Sequence, residues 1–442
     1  MTTRADRCRD AVRAVIVLLG VVVPGPAAAG APLAHREVLP NGIVLLVAER
    51  PAVPIVAVRV LTRAGAVFDP DDRAGLAHLT GALLTRGTAK RTGPEVDSAI
   101  EFVGGSLEAV AGRDSLTVAL SVQKKDLALG LDLVSEIVLS PTFPPAEVTR
   151  KVSEIQAAIR RSEEDPGTVA SRVLARLVYP GHPYGVPVEG TRDSVARLTR
   201  DDVVKFYAQQ VRPDTTVVAV VGAVTVDEAR REITARLGAW ARPAGAPQSI
   251  TPVTAPAPPR EETVKRELTQ STIMFGRLAI RQTDPDYFPL SVASYVLGGG
   301  SASRLYARVR EEAGLAYAVY SWLSTARYGA AFAVTAQTRT AEAPKVVVMV
   351  REELARMTRG AVAERELALA KQYLVGSFPF RLDTSGKVAD FLVAVEDQGL
   401  GLDYADRYKE RIARVTARDV QRVAAKYFPP AAFNLVIVGE IK

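Results

Sequence analysis

The chain has 442 residues, 48% of them hydrophobic and 24% charged, a balance that suits a soluble globular protein of two or more domains. Its net charge of +7 is mild, and part of it sits at the very start, where Arg4, Arg7, Arg9 and Arg13 outnumber Asp6 and Asp10. No block of Lys and Arg interleaved with aromatics occurs, which argues against nucleic acid as a partner.

The arginine-bearing start runs into the apolar core "AVIVLLGVVV" (14–23), then Pro24-Gly25-Pro26 and Ala27-Ala28-Ala29. A positive segment, a short apolar core and an A-x-A site describe a secretory signal peptide. The core is about half of the roughly 20 residues a spanning helix needs, so cleavage after Ala29 is expected rather than a membrane anchor. No second long apolar run follows, so no membrane span is expected after cleavage. The single cysteine, Cys8, lies before the apolar core, on the wrong side of it for a lipoprotein cysteine. It would leave with the peptide (1–29). The mature chain is then expected in the periplasm or secreted, without disulfides, thiolate metal sites or cysteine nucleophiles.

"REVLPNGIVLLVAERPAVPIVAVRVLTRAGAV" gives two β-rich runs, with Pro40-Asn41-Gly42 as the turn before the first. "AGLAHLTGALLTRGT" (74–88) reads as a helix, "GGSLEAVAGRDSLTVALSVQ" as strands, and "DLALGLDLVSEIVLS" as a helix again. A second long helix runs from about Pro145 and ends near Pro166-Gly167. The helix "TRDDVVKFYAQQ" and the strand "TTVVAVVGAV" follow, and residues 196–224 align without gaps on 413–441. Thr199 meets Thr416, Asp202 meets Asp419 and Gly222 meets Gly439, a constant offset that indicates internal duplication. Between the repeats lies the Pro/Ala-rich "ARPAGAPQSITPVTAPAPPREE" (241–262), which reads as an exposed linker. The expected organisation is two homologous α+β halves, 30–240 and 263–442, joined by that strap.

In the second half "LGGG" (297–300) lacks the Lys-Ser/Thr of a phosphate loop and reads as a turn before a helix. "SRLYARVREEAGLAYAV" (303–319) reads as a helix stopped by Gly314, then a strand beginning near Tyr317. Taken alone, Arg310 suits a helix C-terminus and Tyr317 an ordinary strand position.

The helix of the first half carries the most specific pattern. Histidines at i and i+4 with a glutamate at i+3 can hold one metal ion and activate its water. Here the positions read His78, Gly81 and Ala82, so neither the base nor the second ligand is present. Around them, "AGLAHLTGALLTRGT" resembles the zinc helix of the pitrilysin/insulinase family of zinc peptidases, which includes the mitochondrial processing peptidases. That pattern runs Gly-x-Ala-His-x-x-Glu-His and ends in Gly-Thr. "YPGHPYG" and "VVAVVGAV" also match family segments, and the resemblance covers nearly all of the mature chain. It implies a clam-shell of two halves, each a mostly antiparallel sheet covered by helices.

The resemblance also implies roles. Glu154 stands where the family supplies a glutamate ligand, and Glu147 where it places a supporting glutamate. Two remnant ligands, His78 and Glu154, rarely hold a catalytic zinc, which needs three protein ligands and a water. Of the other histidines, His35 precedes the first strand and His182 sits in a Pro/Gly loop that the family often fills with histidine. No metal is therefore expected in this chain, and zinc is expected in a partner carrying H-x-x-E-H. Glu108-Ala109 stands where the family has an Asn-Ala step on its substrate-pairing strand. Strand pairing uses backbone groups, so peptide binding can persist, but Glu108 removes an amide donor.

The segment 303–319 resembles the family's second-half signature, in which an arginine and a tyrosine seven residues apart complete the active site. Arg310 and Tyr317 have that spacing and would bind peptide substrate near the scissile carbonyl, as donors aimed at developing negative charge. Some bacterial members divide the zinc motif and this pair between two chains. The leading expectation is an exported non-zinc subunit of a heterodimeric metallopeptidase. The rival is a catalytically inactive peptide-binding or scaffold protein of the same fold, as a homodimer; a self-sufficient protease is a third reading. The mature protein should begin near Gly30 and be found outside the cytoplasm. Mass spectrometry of the native protein checks this, and an N-terminus at Met1 or Thr2 in a soluble cytoplasmic fraction would contradict it.

Overall fold

The computed structural model describes residues 33–440; the expected signal peptide, with Cys8, lies outside them. The first half contains β1 (His35–Val38), β2 (Val44–Glu49), β3 (Ile55–Thr62), β4 (Ser106–Ala111), β5 (Leu116–Gln123) and β6 (Thr216–Gly222). They form one sheet in the order β1-β2-β6-β3-β5-β4, antiparallel throughout except for β2 with β6. Its helices are α1 (Leu76–Leu83), α2 (Gly93–Phe102), α3 (Leu127–Leu139), α4 (Pro145–Ser162), α5 (Pro166–Val178), α6 (Arg192–Ala196), α7 (Arg200–Gln210) and α8 (Val226–Leu237).

The second half contains β7 (Glu261–Val264), β8 (Gln270–Leu278), β9 (Ala316–Leu323), β10 (Ala331–Arg339) and β11 (Asn434–Val438), in the order β7-β11-β8-β10-β9. Only β7 with β11 is parallel. The helices are α9 (Tyr287–Gly298), α10 (Ala343–Arg359), α11 (Glu364–Ser377), α12 (Ser385–Gln398), α13 (Tyr404–Arg414) and α14 (Ala417–Tyr427). Leaving out β1, the two sheets have the same strand order and the same single parallel pair.

Local chemistry explains why the aligned residues recur. Thr199 and Thr416 start α7 and α14 with reciprocal capping boxes. The N–H of Thr199 donates to Asp202 at 2.9 Å and that of Thr416 to Asp419 at 2.9 Å, while each Asp N–H returns a bond to the threonine oxygen. Gly222 and Gly439 close β6 and β11 with φ of 143° and 150°. A Cβ at either would lie 2.1 Å from Ile55 O or Ser271 Oγ, so each site accepts only glycine. The repeat is thus one geometry used twice.

The halves are joined by exchanged helices. α5, from the first half, lies on β8 and β11 of the second sheet, where Ala170, Leu174 and Leu177 share a core with Met274, Leu278 and Val436. Leu174 sits against the bare backbone of Gly276. In return α12 lies on β3 and β6 of the first sheet, with Val388, Ala389, Leu392 and Val393 buried against Ala57, Leu61, Val217 and Ala219. Ion pairs surround that contact: Arg36–Glu396 and Arg63–Asp397 at 2.7 Å, and Arg59–Asp390 at 2.5 Å.

Four sequence expectations need correction. His35 does not precede the first strand; it opens β1, which pairs with β2 across the Pro40-Asn41-Gly42 turn. Pro166-Gly167 does not end the long helix: α4 stops at Ser162, and Pro166 starts α5, whose Asp165 cap accepts from the Thr168 N–H at 2.7 Å. Proline suits a first helical position because its missing N–H is unneeded there. The strap yields to β7 at Glu261, two residues inside its expected end. Leu297 and Gly298 are the last residues of α9 rather than part of a turn. Among the described residues no helix is long and apolar enough to cross a membrane.

If α12 holds the halves together, Leu392→Ala should cost about 2–5 kcal/mol, since Leu392 is fully buried. The halves should still unfold in one transition. Denaturant titration followed at Trp240 in the first half and Trp322 in the second checks this; separate midpoints for the two would contradict it.

Candidate functional site

α1 is held at its start by Asp69, whose carboxylate accepts from the N–H of Gly75 at 2.8 Å and of Ala77 at 2.7 Å. Burial nevertheless pushes Asp69 up to about 7. Leu76, Ala77, Leu79 and Leu83 turn into the core. His78 is half-buried, and burial pushes its pKa below the ordinary histidine value against the pull of nearby Glu189.

Gly81 is packed against the strand beside it. A Cβ there would lie 2.7 Å from the backbone nitrogen of Ala111, at the end of β4. The second half repeats the device. Gly298, at the duplication offset from Gly81, ends α9, and its Cβ would lie 2.6 Å from the nitrogen of Ser321 on β9. In both halves a helix glycine lets the outer strand of the sheet approach closely. At the position where a zinc helix needs its glutamate, this chain has a packing glycine.

The remaining candidates are engaged by other partners. Glu154, exposed on α4, is bonded to Lys151 at 2.8 Å and to Arg150, and these cations hold it below the usual carboxylate range. Glu147 is engaged by the same Arg150. His182 caps a short turn, its Nδ1 accepting from the Tyr184 N–H at 3.1 Å, and its ring packs edge-on to Tyr184. His35 faces Glu37 at 3.9 Å. Among the described residues no three His, Cys, Asp or Glu are grouped to hold a metal. The donor set around His78 does not fit a zinc ion. Glu108 is exposed on β4, the outermost strand of its sheet.

Arg310 and Tyr317 are brought together. The helix expected over 303–314 is π-helical from Tyr306 to Glu312, with the Ala313 N–H donating to Arg308 O at 3.2 Å. Such turns recur at functional sites. β9, the outermost strand of the second sheet, begins two residues after Gly314. The Arg310 guanidinium carbon lies 5.6 Å from the ring centre of Tyr317 and 4.7 Å from that of Tyr306. Each such contact contributes about 0.5–1 kcal/mol at an exposed site. Tyr317 is 77% exposed.

The neighbouring arginines are committed elsewhere. Arg304 forks onto Glu366 at 2.6 and 2.7 Å, and Arg308 reaches Glu353 at 2.6 Å and Glu352 at 2.8 Å. Arg310 makes no hydrogen bond or ion pair among the described residues. Its donors face outward, which is what binding an oxygen-rich ligand requires.

A cleft of about 520 Å³ opens between α5 and the uncovered part of the second sheet. Arg172 and Glu189, ion-paired at 2.5 Å, form one wall; Tyr320, Thr335 and Gln337 form the other. None of His78, Glu154, Arg310 and Tyr317 lines it. The cleft is not legible in the sequence, because Pro166-Gly167 resembles a helix stop and conceals α5, which lines it.

Comparison with known proteins agrees with this architecture. Residues 44–192 match the family model for insulinase (peptidase family M16), and residues 197–374 match that for the peptidase M16 inactive domain. An uncharacterized zinc protease of Mycobacterium leprae is 30% identical over 361 residues, 79% of each chain. One of Streptomyces coelicolor is 29% identical over 413 residues, 92% of this chain and 90% of that one. Among solved structures, a peptidase M16 inactive domain from Pseudomonas fluorescens superposes with a TM-score of 0.87 at 25% identity, covering 92% of this chain and 98% of the other. A protease from Helicobacter pylori shares the fold, with a TM-score of 0.86 at 20% identity over 92% of this chain and all of that one.

The glycine packing makes a prediction of unusual sign. Gly→Ala within a helix ordinarily stabilises by about 0.5–1 kcal/mol. Gly81→Ala should instead destabilise, because the backbone of Ala111 cannot move aside as a side chain does. Urea unfolding checks it; an unchanged or raised midpoint would mean that β4 yields. For the same reason Gly81→Glu with Ala82→His should fail to create a zinc site.

Proposed function

The chain belongs to the insulinase (M16) peptidase family, and on that premise we propose that it is an exported, non-zinc subunit of a heterodimeric metallopeptidase. In this reading Arg310 and Tyr317 bind peptide substrate at the zinc site of a partner carrying H-x-x-E-H. The observation that carries it is the contrast between the two halves. The helix of His78 is closed onto its strand at Gly81, while Arg310 stands beside Tyr317 on an exposed outer strand with its donors unspent.

The chemistry follows from those donors. As water attacks a peptide carbonyl, negative charge develops on its oxygen, and preorganised donors there lower the barrier. The guanidinium of Arg310 offers fixed N–H groups with a full charge, and Tyr317 adds a hydroxyl. Zinc in the partner would activate the attacking water. The residues of this chain would orient the carbonyl and stabilise its charge, and alone they carry out no hydrolysis. Export rests on the arginine-bearing start and the Ala27-Ala28-Ala29 site.

The second reading, a peptide-binding or scaffold protein, is favoured by Glu108, which puts a carboxylate on β4 where an amide donor would serve a substrate. One experiment separates the two. In a complex reconstituted with an H-x-x-E-H chain, Arg310→Ala should leave assembly intact and slow single-turnover peptide cleavage about 10²–10³-fold. Tyr317→Phe, which removes only a hydroxyl, should cost less. The double variant should be less than multiplicatively worse, because both donors serve one charge. Unchanged rates in an assembled complex would leave the scaffold reading.

A further inference from the structure

We infer that Tyr306 is a positioning residue for Arg310: with Tyr317 it holds the guanidinium by its two faces, leaving the donors on its edge free for a ligand oxygen. The inference rests on the proposed role of Arg310, but it concerns a residue to which that role assigns nothing.

A guanidinium carries five N–H donors around a planar rim and two apolar faces. A carboxylate holds it by the rim and uses up donors; an aromatic ring holds it by a face and uses none. Arg304 and Arg308 are held by the rim, through Glu366, Glu352 and Glu353. Arg310 is held only by rings, at 4.7 Å from Tyr306 and 5.6 Å from Tyr317. Tyr306 and Arg310 stand four apart on the helical turn Tyr306–Glu312, and residues four apart share one face of a helix. That spacing places the ring of Tyr306 under the side chain of Arg310. Tyr317 supplies the second ring from β9. The tyrosine hydroxyl of residue 306 makes no hydrogen bond among the described residues, so the ring is the operative part.

The test uses this chain alone, so its outcome is independent of any partner. In protein labelled with isotopic arginine, the Arg310 side-chain signals are assigned by their loss in Arg310→Lys. Ring currents should displace the Arg310 δ-methylene protons upfield of the bulk arginine position. Tyr306→Phe should keep that displacement, Tyr306→Leu should reduce it, and Tyr306→Leu with Tyr317→Leu should abolish it. Unmoved Arg304 and Arg308 signals establish that each variant is folded. An Arg310 signal at the bulk position in the wild type, or one unchanged in Tyr306→Leu, would overturn the inference. In the reconstituted complex Tyr306→Leu should then slow cleavage about two- to five-fold, with Tyr306→Phe at the wild-type rate. An equal loss in Tyr306→Phe would overturn the ring as the holding group. If Arg310→Ala itself leaves the rate unchanged, the proposed function fails, and the clamp is still decided by the δ-proton displacement.

Discussion

The structure depends on an exchange of helices between two copies of one unit. Each sheet has a face covered by its own helices and a second face that its own half leaves bare. α5 and α12 cross over to cover those second faces, so each half completes the core of the other. Burial of Leu392 and Ala389 under one sheet, and of Leu174 and Ala170 under the other, replaces two separate domains with one interlocked body. Small residues allow the close approach: Ala57 and Ala219 beneath α12, Gly276 beneath Leu174. Neither crossing helix covers its sheet completely. The uncovered part of the second sheet is the floor of the large cleft, and its outer strand carries Tyr317.

Duplication makes the difference between the halves readable. Strand order, capping boxes and strand-end glycines recur, so a departure at equivalent positions is a local change on a common frame. The closest correspondence is Gly81 with Gly298, each pressed on the backbone of an outer strand. A glutamate side chain aimed at a metal needs the space that this contact removes. In this respect the first half has the helix–strand packing of the second. At position 81 the missing glutamate of the metal motif coincides with close packing of the helix on the backbone of β4, and His78 is a half-buried histidine whose burial disfavours its charged form. In the second half the widened turn at Tyr306–Glu312 and the exposed start of β9 present charge to solvent instead.

What the sequence disclosed was mainly local. The Thr199/Asp202 and Thr416/Asp419 pairs are legible because a capping box is complete within four residues. The spacing of Arg310 and Tyr317 is legible because helix end, glycine and strand start follow one another directly. The exchange of helices left no such trace. Pro166-Gly167 resembles a helix stop, and the surface that stabilises α5 lies far along the chain, on Gly276 and Val436. β1 is four residues long and gains its strand identity from pairing with β2. The reason for glycine at position 81 is the nitrogen of Ala111, thirty residues away in sequence and visible only once β4 is placed. Likewise, the π-helical form of Tyr306–Glu312 is a property of the folded turn and not of composition.

The account turns on whether the half that carries His78 still holds a metal. Zinc content of the purified mature chain, after dialysis against dilute zinc, tests this most directly. The account predicts far less than one ion per chain, with no change in His78→Ala. One tightly held zinc per chain, lost in His78→Ala, would contradict it and return the chain to the self-sufficient peptidases.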